Sequence, residues 1–294
     1  MKRIYVLAAL FLSACLQEVP ANWTPQPLQI LAPTQIVTET PTSPAPIVPT
    51  STPVLVFSPP AALPAGPISM VAVGDSLTQG DGDETGRGYP GRIIELVNAI
   101  RPNSSIANFG QSGWNSDALI NGDQGLPGQL QRAVSEVQGA IGQGRGAVVF
   151  VWIGSNDLWY LYEYGGDVNA EAEAQDLQRF SSNLEIILKD LRLAGAEVII
   201  ALLDDQSKRP VAIQGQAFTS ITPEELSRMS LQVQRYNEVI AQKADKYGAL
   251  TVDFYSTDIF INQTTLSDDG NHPNPSGYDL ITQKWFEALS LILE

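Results

Sequence analysis

Ala147-Val148-Val149-Phe150-Val151-Trp152 is six apolar residues in a row, rich in β-branched and aromatic side chains and too short for a buried helix. It reads as a strand buried on both faces, and both-face burial is the mark of a parallel sheet covered by helices. Working outward, four more short runs share its character: Ile68 to Val73, Ser105 to Asn108, Val198 to Leu203 and Leu250 to Asp253. Helical periodicity separates them. Ile93, Leu96, Val97 and Ile100 fall on one helix face, ending before Pro102. Leu130, Val134, Val137 and Ile141 mark a second helix; Leu177, Phe180, Leu184, Ile187 and Leu191 mark a third, stopped by Gly195. Thr222-Pro223-Glu224-Glu225 supplies an N-cap, a proline at the first helical position and a capping-box glutamate for a helix carrying Met229, Val233, Tyr236 and Ile240. Asn274-Pro275 caps a last helix bearing Tyr278, Ile281, Trp285, Leu289 and Ile292. Five strands alternating with helices predict an α/β domain built on a five-stranded parallel sheet.

The first 66 residues read differently. Met1-Lys2-Arg3 is a positive start, Ile4 to Leu12 is apolar but too short to span a bilayer, and Leu12-Ser13-Ala14-Cys15 follows. These residues resemble a bacterial lipoprotein signal, which implies removal of residues 1–14 and lipidation of Cys15, the only cysteine. Residues 15–66 carry most of the chain's 20 prolines among Thr, Ser and Ala. Such a stretch forms neither helix nor sheet ladder and reads as an extended tether reaching on the order of 100 Å. The folded domain is then expected over 67–294, exported and held on the outer face of a bacterial membrane through the lipid alone.

Composition excludes several function classes. A formal charge of −15 with pI about 4.4 opposes binding to nucleic acid or anionic lipid headgroups. One Cys and one His argue against zinc. Asp81-Gly82-Asp83-Glu84 lacks the rest of an EF-hand loop and reads as a solvated acidic turn. No metal is expected, and a monomer is expected.

In a covered parallel sheet, sites form beyond the carboxyl ends of the strands. Asp75 and Ser76 follow the first strand, Gly110 the second, Asn156 the third, and Asp269 and His272 the fifth and its loop. A serine hydroxyl becomes a nucleophile only when a base accepts its proton, and His272 is the only histidine. Pro273 biases it toward extended backbone. Asp269 can reach back to the imidazole and hold the tautomer that leaves Nε2 free; Asp268 is an equally acidic neighbour, and spacing does not choose between them. Backbone N–H groups of Ser76 and Gly110 and the Asn156 amide are candidate donors to a developing oxyanion. Trp159, Tyr160, Tyr162 and Tyr164 follow Asn156 closely and read either as an aromatic wall of the site or equally as a core-packed insertion; with Trp114 and Asp75 they are the candidate substrate contacts. The polar stretch from Asp204 to Ile221 is a candidate rim or lid.

Gly74-Asp75-Ser76-Leu77, Gly110, Gly154-Ser155-Asn156-Asp157 and Asp269-Gly270-Asn271-His272-Pro273 resemble, in order, the four blocks of the GDSL or SGNH hydrolases. The resemblance covers about residues 68–292. It implies a flavodoxin-like three-layer α/β/α sandwich. It also implies a cofactor-free serine esterase with Ser76 as nucleophile, His272 as base and Asp269 orienting it. Ser76, Gly110 and Asn156 would form the oxyanion hole. Its expected substrates are small-molecule or polysaccharide esters, with carbohydrate deacetylation set against lipase, lysophospholipase or thioesterase action on longer acyl chains. The G-x-S-x-G pentapeptide of α/β-hydrolases is absent, and the motifs lack the paired acids of a glycosidase. A ligand-binding lipoprotein without turnover is the non-enzymatic alternative.

Overall fold

The structure is a computed structural model and describes residues 56–166, 168–215 and 218–293. The signal, Cys15 and all but the end of the tether lie outside the described residues. The elements run β1 (Ile68–Gly74), α1 (Ser76–Gln79), α2 (Gly88–Ile100), β2 (Ser105–Asn108), α3 (Ser116–Asn121), α4 (Gln129–Gly142), β3 (Gly146–Trp152), α5 (Ser155–Tyr164), α6 (Ala170–Leu193), β4 (Glu197–Leu202), α7 (Pro210–Ile213), α8 (Pro223–Tyr247), β5 (Leu250–Asp253) and α9 (Pro275–Leu293). The five strands lie in the order β2-β1-β3-β4-β5 and every pairing is parallel. This is the flavodoxin-like order, whose switch point lies between β1 and β3. The expected α/β fold with a five-stranded parallel sheet is present.

The helices form the two outer layers. α2 and α9 pack on each other and over one face, while α4, α6 and α8 line the other. β3 is central and wholly buried, which is why its sequence shows no polar alternation. Its even positions face an aromatic layer. Trp152 stacks on Phe254 with centroids 4.3 Å apart, and Trp285 of α9 stacks on Tyr89 of α2 at 5.3 Å and meets Phe150 edge-on. The capping box at Thr222 forms as its sequence predicts, with Thr222 accepting from the Glu225 N–H and Glu225 accepting from the Thr222 N–H.

The domain boundary is a correction. Residues 57–66, expected to be tether, lie against the domain. Phe57 packs on Tyr247 at 5.1 Å, buried Leu63 donates its N–H to the Ile292 carbonyl at 2.8 Å, and Arg101 donates to the Pro64 carbonyl at 2.6 Å. The prolines that rule out helix and ladder here do not rule out an extended strap whose Phe57 is half-buried and whose Leu63 is buried.

Candidate active site

The site begins at the end of β1. Buried Gln129, at the start of α4, receives the Gly74 N–H on its Oε1 at 2.7 Å and donates Nε2 to the Gly74 carbonyl at 2.8 Å. Both backbone groups at the end of the strand are thereby satisfied by one side chain. The chain turns at once into α1, with Asp75 as N-cap accepting from the Leu77 N–H at 3.0 Å. Ser76 is therefore the first residue of a helix, half-buried, and its N–H belongs to the first turn, which has no intrahelical acceptor.

His272 approaches from the loop before α9, 196 positions away. Its Nε2 lies 2.9 Å from the Ser76 Oγ and its Nδ1 lies 2.6 Å from the Asp269 Oδ2. The two acids left open by spacing are thus separated: Asp269 is the partner. Its other oxygen, Oδ1, accepts the N–H groups of Asn271 and His272 at 2.8 and 2.9 Å and the Ser267 hydroxyl at 2.8 Å. Partial burial alone would raise the Asp269 pKa. The hydrogen bonds from the imidazole, the two backbone N–H groups and Ser267 outweigh it and hold the carboxyl well below the ordinary range. An ionised Asp269 accepts the Nδ1 proton, which leaves Nε2 as the acceptor for Ser76 O–H. Sequence-distant residues are thereby joined in a line that can withdraw a proton from a hydroxyl.

Asn156 lies in the first turn of α5, and its Nδ2 donates to the Trp114 carbonyl at 2.9 Å. One amide proton is used to fix the side chain, and the second remains. Gly110 is placed by contact: a Cβ there would lie 2.3 Å from the Gln79 nitrogen, so only glycine lets the loop after β2 close on α1. Its N–H, expected to be a free oxyanion donor, is already bonded to the Asn108 Oδ1 at 2.9 Å. Asn108 in turn donates to the Thr78 carbonyl at 2.9 Å. The Gly110 N–H can reach an oxyanion only as a shared donor or after Asn108 withdraws.

The aromatic wall is corrected by helical period. The segment is α5, so residues 159 and 162 share one face and 160 and 164 the opposite one. Trp159 is buried and stacks on Phe218 at 4.0 Å; Tyr162 is buried and donates to Glu173 at 2.8 Å. Both are core residues. Trp114 is buried too and offers its carbonyl, not its indole, to Asn156. Tyr160, which donates to the Gly113 carbonyl at 2.6 Å, and exposed Tyr164, 5.7 Å from it between ring centroids, remain at the surface.

Asp75 is corrected likewise. It is fully buried, caps α1, and its Oδ2 has no hydrogen-bond partner among the described residues. Burial pushes its pKa up to about 7, against the pull of the Leu77 N–H, Arg209 and His272. The native state thus holds a proton that the unfolded chain, titrating near 4, releases. The sign follows: Asp75 erodes stability as pH rises from about 4 to about 7. We expect Asp75→Asn to gain stability relative to the natural chain between pH 4 and pH 8, read by urea unfolding at both; parallel pH dependences would refute the assignment.

Sequence reading missed Gln129, Asn108 and a buried network in which Asp157 accepts the Ser116 N–H and hydroxyl at 2.9 and 2.6 Å. The contacts of Gln129 with Gly74, of Asn108 with Thr78 and of Asp157 with Ser116 join residues 30 or more positions apart, and no local pattern signals such pairs.

A model of the GDSL-like lipase/acylhydrolase family matches residues 72–280. An uncharacterised protein of Bacillus subtilis, YpmR, is 24% identical over 231 residues, covering 76% of this chain and 81% of that one. A multidomain esterase of Ruminococcus flavefaciens is 23% identical over 252 residues, covering 76% of this chain but 29% of its own length. Among solved structures, the acetylxylan esterase Axe2 of Geobacillus stearothermophilus has a TM-score of 0.50 at 19% identity, covering 76% of this chain and 95% of that one. The psychrotrophic esterase EstA of a Pseudoalteromonas species has 0.50 at 17% identity, covering 76% and 97%. With the family model spanning well over half its length, the chain belongs to the GDSL-like lipase/acylhydrolase family and is a hydrolase of ester bonds.

Proposed function

We propose that the protein is a serine esterase acting through Ser76, His272 and Asp269, exported and tethered by a lipid on Cys15. The observation that carries the reading is the unbroken line from Asp269 Oδ2 through the imidazole to Ser76 Oγ, with steps of 2.6 and 2.9 Å. His272 Nε2 takes the hydroxyl proton as Oγ attacks the ester carbonyl, and Asp269 steadies the imidazolium that results. The tetrahedral oxyanion is met by the Ser76 N–H and the free proton of Asn156 Nδ2, with Gly110 N–H as a shared third donor. Collapse expels the alcohol, protonated by His272, and leaves an acyl group on Ser76. Water, deprotonated by the same imidazole, then releases the acid and restores the hydroxyl.

Acetyl esters of carbohydrate are the proposed substrate class. Half-buried Tyr160 and exposed Tyr164, paired beside the Gly113 loop, support it, since an aromatic surface suits a sugar ring; so does the acetylxylan esterase among the fold neighbours, as analogy only. A monomer on a long tether suits a polymeric substrate. The test is hydrolysis of p-nitrophenyl acetate, butyrate and octanoate by the full chain, with a phosphonate label located by peptide mass spectrometry. Label on the Ser76 peptide and rates falling from acetate to octanoate are expected. Rates rising with chain length would replace the deacetylase with a lipase, and label on another residue would overturn the mechanism.

A further inference from the structure

We infer that Arg209 is a positioning residue for His272, acting by fixing which end of the Asn271 amide faces the imidazole. Arg209 and Asp204, in the connection between β4 and α8, are 2% and 3% exposed. Nε and Nη2 of Arg209 bond the two oxygens of Asp204 at 2.8 and 2.6 Å, and the guanidinium lies over the Phe260 ring at 4.7 Å. That leaves Nη1, which donates to the Asn271 Oδ1 at 2.8 Å. Asn271 stands between Gly270 and His272, and its Nδ2 is 3.5 Å from the imidazole Nε2.

Guanidinium has donors and no acceptor, so Arg209 selects the oxygen end of the amide. The amide's donor end must then turn toward Nε2. In that orientation Asn271 offers nothing that a proton on Nε2 can bond, and at 3.5 Å its N–H competes only weakly for the lone pair with the Ser76 hydroxyl at 2.9 Å. Were the amide reversed, Oδ1 would face Nε2, stabilise a proton there and draw it away from Ser76. The segment that sequence reading marked as a rim or lid is thus a clamp behind the catalytic loop. Its backbone holds the loop as well: the Val211 N–H donates to the Gly270 carbonyl at 3.0 Å. Charged groups near His272 include Asp268 and Asp269 on its own loop, Asp75 from the β1–α1 turn, and the Arg209–Asp204 pair that reaches it through Asn271; Gly82, one residue before the Asp83 that pairs with Arg92, packs on the His272 Cβ.

The inference rests on His272 acting as base, and the test separates the two. His272 is the only histidine, so nitrogen NMR of the untagged full chain reads one imidazole without turnover. Arg209→Met with Asp204→Leu removes both charges of the pair together, so neither partner is left buried alone. Released from Arg209, the amide is expected to turn. The imidazole should then titrate about one pH unit higher and kcat should fall about tenfold at neutral pH with little change in KM. Adding Asn271→Ala removes the misplaced oxygen and should return both readings to those of Asn271→Ala alone. Arg209→Lys, which keeps the charge but cannot fork to two partners, is expected to show the same loss and the same recovery, and serves where the apolar pair does not fold. Unchanged titration in the double variant, or a triple variant no better than the double, would overturn the inference. Normal imidazole behaviour in a chain whose turnover survives Ser76→Ala would instead sink the esterase mechanism and leave the clamp standing.

Discussion

Ser76→Ala is expected to lower kcat for ester hydrolysis by about a thousandfold or more, with KM little changed. The reason is geometric. The hydroxyl placed 2.9 Å from Nε2 is removed, and methyl offers neither a proton to the base nor an electron pair to the carbonyl. The fold gives no second cause for the loss. Ser76 is half-buried at the first position of α1, Asp75 still caps that helix through the Leu77 N–H, and Gln129 still holds Gly74. Stability should therefore stay within about 1 kcal/mol of the natural chain. The sharper form of the prediction is non-additivity. His272→Ala should cost about as much as Ser76→Ala, and the double variant no more than either, because in the proposed mechanism the two groups perform one proton transfer. What residual rate survives reflects Asn156 and the backbone donors, which none of these variants touches. Steady-state kinetics on p-nitrophenyl acetate with urea unfolding of each variant decides it. Losses that multiply would mean that serine and histidine act on separate steps.

Much of this arrangement is written in local sequence. A run such as Ala147–Trp152 has nothing polar to present, so it has to be a central strand, and helices on both sides follow. The positions of Ser76, Gly110, Asn156 and Asp269–His272 after strand ends follow from the same pattern, since a parallel sheet delivers all its strand ends to one edge. The misreadings share a cause. Trp159 and Tyr162 read as a wall because aromatic density was counted without its period; once Ser155–Tyr164 is a helix, spacing divides the four rings between core and solvent. Leu63 reads as tether because its neighbours are prolines, yet the α9 carbonyl of Ile292 and the start of β3 lie where an extended strap can reach them. Arg209 carries no signal at all in sequence. Its partners Asp204 and Asn271 lie 5 and 62 positions away, and a lone arginine in a polar stretch looks like a solvated one until the fold buries it.

Asp269→Asn is expected to be as damaging as removing the base, lowering kcat on the order of 10⁴-fold. Oδ1 of Asp269 accepts three donors, the N–H groups of Asn271 and His272 and the Ser267 hydroxyl. An asparagine must place its oxygen there, because its NH₂ would face three donors with nothing to accept. The amide nitrogen is thereby forced into the position of Oδ2, 2.6 Å from the imidazole Nδ1 in the natural chain. A donor at that point requires Nδ1 to be an acceptor, so the proton moves to Nε2 and the lone pair that Ser76 needs is gone. The fold survives because the loop keeps its three bonds to the oxygen. The acid limb of stability should also change in a set direction. Asp269 holds its ionised form better in the native state than in the unfolded chain. Its contribution is therefore present above the ordinary carboxylate pKa and is lost as pH falls below it. Asp269→Asn should unfold with a shallower acid dependence than the natural chain. Nitrogen NMR of the single imidazole checks the central step: the proton resides on Nδ1 in the natural chain and on Nε2 in the variant. A variant that keeps its proton on Nδ1, or that retains activity within tenfold, would show that Asp269 does not set the tautomer.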